Sequence, residues 1–174
     1  MSALLQRPTP DEFAPSHEGY VRHVPAGDVR MLMRTQLHET IALFSGVDDQ
    51  KATQAYGPGK WSLKEVVGHL NDAERVFAYR LLRVARADET PLAAFEQDAW
   101  VPTSGANQRS LASLLLEFAA IRASTMALID SIPEAAWTRR GTASGKPVSA
   151  RALVYIMAGH ERHHVSILRE RNVL

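Results

Sequence analysis

Four stretches of the chain carry apolar residues at the three-to-four-residue spacing of a helix, and no run shows the alternation of a half-buried strand. The first begins at Asp28, a helix-capping residue, and places Leu32, Met33, Leu37, Ile41 and Phe44 in one stripe before Gly46. The second starts after the turn Tyr56-Gly57-Pro58-Gly59. Ser62 and Glu65 have capping-box spacing there, with Trp61 and Val66 placed as a hydrophobic staple, and the pattern runs to about Arg86. The third runs from Ser110 to the stop at Pro133, and the fourth from Ser149 almost to the C-terminus. Four long helices without a strand predict an all-α four-helix bundle.

The helices leave two segments to explain. Residues 1–26 hold Pro8, Pro10, Pro15 and Pro25 with little periodicity, which predicts an extended N-terminal arm outside a bundle domain of residues 27–174. His17 and His23 in this arm read as surface residues. Pro91 to Asn107 reads as a long loop with a short turn around Phe95 to Trp100, of a length that suggests a lid or an interface. Asp98 and Trp100 in it read as an N-capping aspartate and a packing indole, with a place at the border of a pocket as the alternative. Gly141 to Pro147 reads as a turn-rich connector.

Composition narrows the function. With 174 residues and 45% hydrophobic content, one core is the expectation. Twenty basic and nineteen acidic side chains nearly cancel, so no global field favours nucleic acid or an anionic membrane. No stretch reads as a membrane span and the N-terminus lacks a secretory pattern, so a cytoplasmic protein acting on a small molecule is expected. Cysteine is absent, which excludes disulfides, thiolate ligands and a cysteine nucleophile; any thiol chemistry needs an exogenous thiol.

The fourth helix contains His160-Glu161-Arg162-His163-His164. His160 and His164 stand one turn apart on one face, a spacing at which two imidazoles reach one ion. The string matches that of zinc peptidases, with Glu161 as the base that activates water. A nearby third ligand is missing, however: Glu170 would lie well around the helix from the two histidines. The better third ligand is His69, beside Gly68, a residue that permits close helix approach. Asp72, on the same face, is the preferred acceptor for the second N–H of the His69 ring. Three neutral imidazoles suit zinc or nickel and leave coordination positions open to water or substrate. Arg80, Arg83 and Arg86 read most simply as a solvated helix face, with anion or substrate binding as the alternative.

The run Tyr56-x-Pro58-Gly59-Lys60-Trp61-Ser62-x-x-Glu65, then His69-Leu70-x-Asp72-x-Glu74-Arg75, then Gly159-His160-Glu161-x-x-His164, resembles the DinB superfamily, which includes YfiT-like proteins. The resemblance covers about residues 27–172. It implies an up-down-down-up four-helix bundle with nickel or zinc held by His69, His160 and His164. It also implies a transferase or isomerase that uses a low-molecular-weight thiol such as bacillithiol, mycothiol or glutathione, and a transferase acting on an electrophilic substrate is the leading expectation. A metal-dependent hydrolase with Glu161 as base and a non-catalytic metal-binding bundle, dimerising through its helix faces, are the alternatives. A homodimer is the expected assembly.

Overall fold

The computed structural model describes residues 2–171 and 173. Its long helices are α2 (Val29–Ser45), α3 (Leu63–Ala85), α5 (Leu111–Ser131) and α6 (Ala150–Glu170), with a short α1 (Glu18–His23) before them and a single turn, α4 (Gln97–Trp100), between α3 and α5. The starts follow the caps read from the sequence. Asp28, Ser62, Ser110 and Ser149 each accept a backbone N–H of the first turn, and Ser62 and Glu65 complete the capping box.

α2 and α3 each pack against both α5 and α6, so α2 sits diagonally across the bundle from α3, and α5 from α6. Side-chain bonds give the directions. Asn71 Nδ2 donates to Leu114 O, and Arg122 is bonded to Glu74, so α3 and α5 run parallel. Gln36 Nε2 donates to Ala158 O and Thr40 Oγ1 to Glu161, so α2 and α6 also run parallel. Arg34, near the start of α2, meets Asp130, at the end of α5, which sets the two pairs against each other. This is the up-down-down-up bundle. It explains the long loop after α3, because a chain joining two parallel neighbours must travel back along their whole length.

The apolar interior is divided. Met33, Phe77, Leu81, Met126, Ile129, Leu153 and Ile156 belong to one cluster. Phe44, Leu63, Val66, Leu70, Leu114, Phe118 and Leu168 belong to the other. A buried polar group also lies among the helices. Arg122, 1% exposed, donates Nε and Nη2 to both oxygens of Glu74 at 2.8 Å, Nη2 to Glu161 at 2.8 Å and Nη1 to Met33 O at 2.9 Å. The carboxylates satisfy a guanidinium that would otherwise be costly to bury. α5, which holds Arg122, is long and apolar enough to cross a membrane by length and composition alone, contrary to the sequence expectation; in the bundle it packs against α2 and α3.

Two other features depart from the sequence expectation. The connector after α5 is a β-hairpin, β1 (Arg140–Ala143) with β2 (Lys146–Ser149), turned at Ser144 and Gly145 in left-handed backbone conformations. The N-terminal segment lies against the bundle, but locally it winds into 3-10 turns and α1, and it buries Leu4, Phe13, Val21 and Val24 in the first cluster. Glu12 anchors it by accepting from Ser149 Oγ and Arg151 Nε, each at 2.7 Å.

Candidate metal centre

His69 comes from α3 and His160 and His164 from α6, which cross antiparallel with Trp61 near His164 and Phe77 near His160. The three rings converge. His160 Nε2 lies 3.0 Å from His69 Nε2 and 3.1 Å from His164 Nε2, and ligand atoms of all three fall within 4.8 Å of one another. Two nitrogens bound to one ion at about 2.1 Å lie roughly 3–3.4 Å apart, which matches both separations.

Local packing fixes the rings. Trp61 lies against His69 at 4.9 Å between centroids and stacks on His164 at 6.3 Å, while Tyr20 meets His160 edge-on at 5.2 Å. Tyr20 can come this close because residue 159 is glycine: a Cβ there would lie 1.8 Å from the Tyr20 carbonyl oxygen. Gly68 serves the same purpose beside His69, where a Cβ would meet that of Ala106 at 3.1 Å.

Burial keeps these imidazoles neutral. It lowers His69 to a pKa of about 4, the carboxylate of Asp98 acting in the opposite sense. Burial, then the neighbouring His69 and His163, brings His164 to about 3. His160 is held well below its ordinary value by burial and by His164 and His69. His160 Nε2 faces two nitrogens but carries either one proton or one lone pair, so it cannot complement both neighbours. A single cation accepting all three lone pairs removes the conflict. The donor set therefore fits a divalent transition ion.

The remaining sequence expectations fare differently. Glu161 points into the bundle, not toward the histidines: its oxygens accept from Thr40 Oγ1 at 2.6 Å and Arg122 Nη2 at 2.8 Å, and it is 2% exposed. One residue after His160, it is turned by about 100° to the inner face, which leaves it unsuited as a base for the ion. Asp72 lies near Arg75, at 3.7 Å, and not on the His69 ring, so the acceptor role expected of it is not seen. Burial and nearby Glu117 raise its pKa against the pull of Arg75.

His69 and His160 border a cavity of about 660 Å³ that Asp98, Phe77, Tyr20 and His17 also line, while His164 faces a separate pocket beside Trp61. Asp98 thus borders the cavity instead of capping α4, whose N-cap is Glu96, while Trp100 packs on Phe95 at 5.1 Å between ring centroids. His17 does not stay on the surface: its ring stands 6.1 Å from that of Tyr20 and 6.3 Å from that of Phe77, and its Nδ1 is buried without a partner among the described residues. Arg80 is also in the cavity wall and not on a solvated face. Its position was legible in principle, since eleven positions after His69 a helix returns to nearly the same face.

The family model of the DinB superfamily matches residues 32–168. The chain belongs to the DinB superfamily. Among curated relatives, "Putative metal-dependent hydrolase GK0616" of Geobacillus kaustophilus is 29% identical over 134 residues, 73% of this chain and 74% of the relative. A protein of the same description from Geobacillus thermodenitrificans is 24% identical over 129 residues, 72% of this chain and 71% of its own. Among solved structures, YfiT from Bacillus subtilis, described as "a probable metal-dependent hydrolase with an unusual four-helix bundle topology", superposes with a TM-score of 0.70. That likeness spans 95% of this chain and 91% of YfiT at 15% identity, so it bears on the fold alone. The matched region begins inside α2, so His17 and Tyr20 lie outside the portion of the chain that carries the DinB match.

Proposed function

We propose that this DinB protein is a metal-dependent transferase that joins a low-molecular-weight thiol to an electrophilic small molecule, with nickel or zinc held by His69, His160 and His164. The observation that carries the proposal is the convergence of three neutral imidazoles, two of them, His69 and His160, on the wall of a cavity large enough for a small molecule. A divalent ion with open positions there would lower the pKa of a thiol or water bound to it. The chain's own residues supply the rest. Trp61 and Tyr20 hold the imidazoles in place, and Phe77 supplies apolar wall that excludes water. Asp98, whose charge acts on His69, can accept the proton that the nucleophile gives up.

Thiol transfer ranks above hydrolysis for one reason. A His-Glu-x-x-His hydrolase needs its glutamate free at the ion, and here Glu161 is bound to Arg122 and Thr40. Hydrolysis is the second reading, favoured by the names of the relatives, with Asp98 in place of Glu161 as base. The test is metal-loaded protein with glutathione and 1-chloro-2,4-dinitrobenzene, and separately with 4-nitrophenyl acetate. Thiol adduct formation above background that disappears in His160→Ala supports transfer. Ester cleavage lost in His160→Ala, without thiol dependence, supports hydrolysis. Equal rates for wild type and His160→Ala in both assays reject catalysis at this centre.

A further inference from the structure

Arg80 is 4% exposed and has no carboxylate within salt-bridge distance among the described residues. Its Nη2 donates to Ala93 O at 2.7 Å and Ser144 Oγ at 3.0 Å, and Phe95 covers it, 5.6 Å from the guanidinium carbon to the ring centre. Nε and Nη1 have no protein acceptor among the described residues. A buried guanidinium without a counter-ion is costly, in contrast to Arg122, which has two carboxylates.

Its surroundings show what is missing. Arg80 and His17 line the same cavity as His69 and His160, and the buried Nδ1 of His17 is also without a partner among the described residues. Lys146 of the hairpin lines it too. On α3 the lining residues run His69, Ala73, Phe77, Arg80: a ligand at one end, apolar wall between, a guanidinium at the other. Arg80 is displaced from His69 by roughly 16 Å along the axis and within about 20° of the same face, and helical side chains lean back toward the N-terminus, toward His69. The cavity's own carboxylates, Glu96 and Asp98, come from the segment at α4, which is solvent-exposed.

We propose that Arg80 and His17 form a receptor for an anionic group, so that the cavity takes a small molecule with a carboxylate or phosphate at one end and an apolar middle over Ala73 and Phe77. A guanidinium offers a planar pair of N–H donors that matches such oxygens, and the imidazole adds a third donor. The far end of the molecule then lies beside His69 and His160; only this last element rests on the metal reading above.

The test titrates hexanoate, hexyl phosphate and hexan-1-ol into zinc-loaded and chelator-treated protein, followed by calorimetry, with zinc content measured in parallel. Both anions should bind at least tenfold more tightly than the alcohol with or without zinc, and the tighter of the two identifies the group. Arg80→Met should remove the preference and Arg80→Lys restore part of it, zinc content staying unchanged. His17→Phe keeps a ring between Tyr20 and Phe77 and leaves the bonds to Ala93 and Ser144 intact, so it serves where Arg80→Met does not fold; it should weaken anion binding severalfold. Equal affinity for anion and alcohol overturns the proposal, as does a preference that survives both Arg80→Met and His17→Phe or vanishes with zinc. Failure of the metal reading appears separately, as absence of zinc uptake with the anion preference intact.

Discussion

Arg122 donates Nη2 to Glu161 Oε2 at 2.8 Å, and the same nitrogen serves Glu74. One guanidinium is thus shared by two buried carboxylates, which sets an order of mutational costs. Arg122→Met leaves two carboxylates without a counter-ion and should cost about 3–5 kcal/mol. Glu161→Gln removes one negative charge from a group that has an excess of one, keeps an acceptor for Arg122 or Thr40, and should cost less, about 1–2 kcal/mol. Urea unfolding of both variants checks the order. Glu161→Gln should also retain metal and turnover per folded molecule; loss of turnover in a folded, metal-loaded variant would restore Glu161 as a base.

Metal uptake should depend on all three imidazoles and on neither carboxylate first considered. Elemental analysis should find one zinc or nickel per wild-type chain, and His69→Ala or His160→Ala should reduce affinity by a factor of 100 or more, since each removes a directly bonded nitrogen. Asp72→Asn should change it little, because Asp72 faces Arg75. Wild-type occupancy in His160→Ala would show that the ion is held elsewhere.

The helices and the His160–His164 pair were legible because their signals are local: caps, stops and a four-residue spacing within one turn of chain; His69, 91 positions before His160, was reached only through Gly68 beside it and the family resemblance. What stayed hidden depends on neighbours distant in sequence. Glu161 reads as part of a peptidase string until α2 and α5 bring Thr40 and Arg122 onto it. Arg80 and Arg83 look alike in sequence, yet Arg83 pairs with Asp88 at the edge while Arg80 turns into the cavity. His17 and Tyr20 reach the centre only because α1 docks on α6, an approach set by Gly159 some 140 residues later. The hairpin was missed because Gly141 and Pro147 weaken any strand pattern, and its pairing comes from the tight turn at Ser144 and Gly145.

Metal-free protein should lose stability as the pH falls from 7.5 to 5. The folded state lowers the pKa of His69 to about 4 and of His164 to about 3, so on acidification the unfolded chain takes up protons first, near pH 6.5. The stabilisation is complete above about 6.5 and is lost toward the folded-state values, at about 1.4 kcal/mol per pH unit for each histidine. Carboxylates such as Glu12, lowered to about 2 by Arg151, Thr9 and Ser149 against the opposing effect of burial, act only below this window. Urea midpoints of chelator-treated protein should therefore decline across pH 7.5 to 5, whereas His69→Ala should show a shallower slope. A flat profile would contradict the neutral, buried state of these rings.

Gly159→Ala isolates the contribution of the N-terminal segment. The added methyl would lie 1.8 Å from the Tyr20 carbonyl oxygen, a backbone atom that can give way only if α1 moves as a unit. On α6 itself alanine is the better helix former by about 1 kcal/mol, so any loss of stability must come from the displaced contact. The bundle core should survive, because α3, α5 and α6 pack independently of Tyr20. The segment through Tyr20 should detach, exposing Phe13 and Val21. Limited proteolysis should then cut near residues 14–26 in Gly159→Ala and not in the wild type. Metal affinity should fall only modestly, since the ligands remain, while affinity for hexanoate should fall as far as in His17→Phe, because His17 leaves with the segment. Resistance to protease equal to that of the wild type would mean that α1 tolerates the methyl group and that its seat on Gly159 is not what holds it over the cavity.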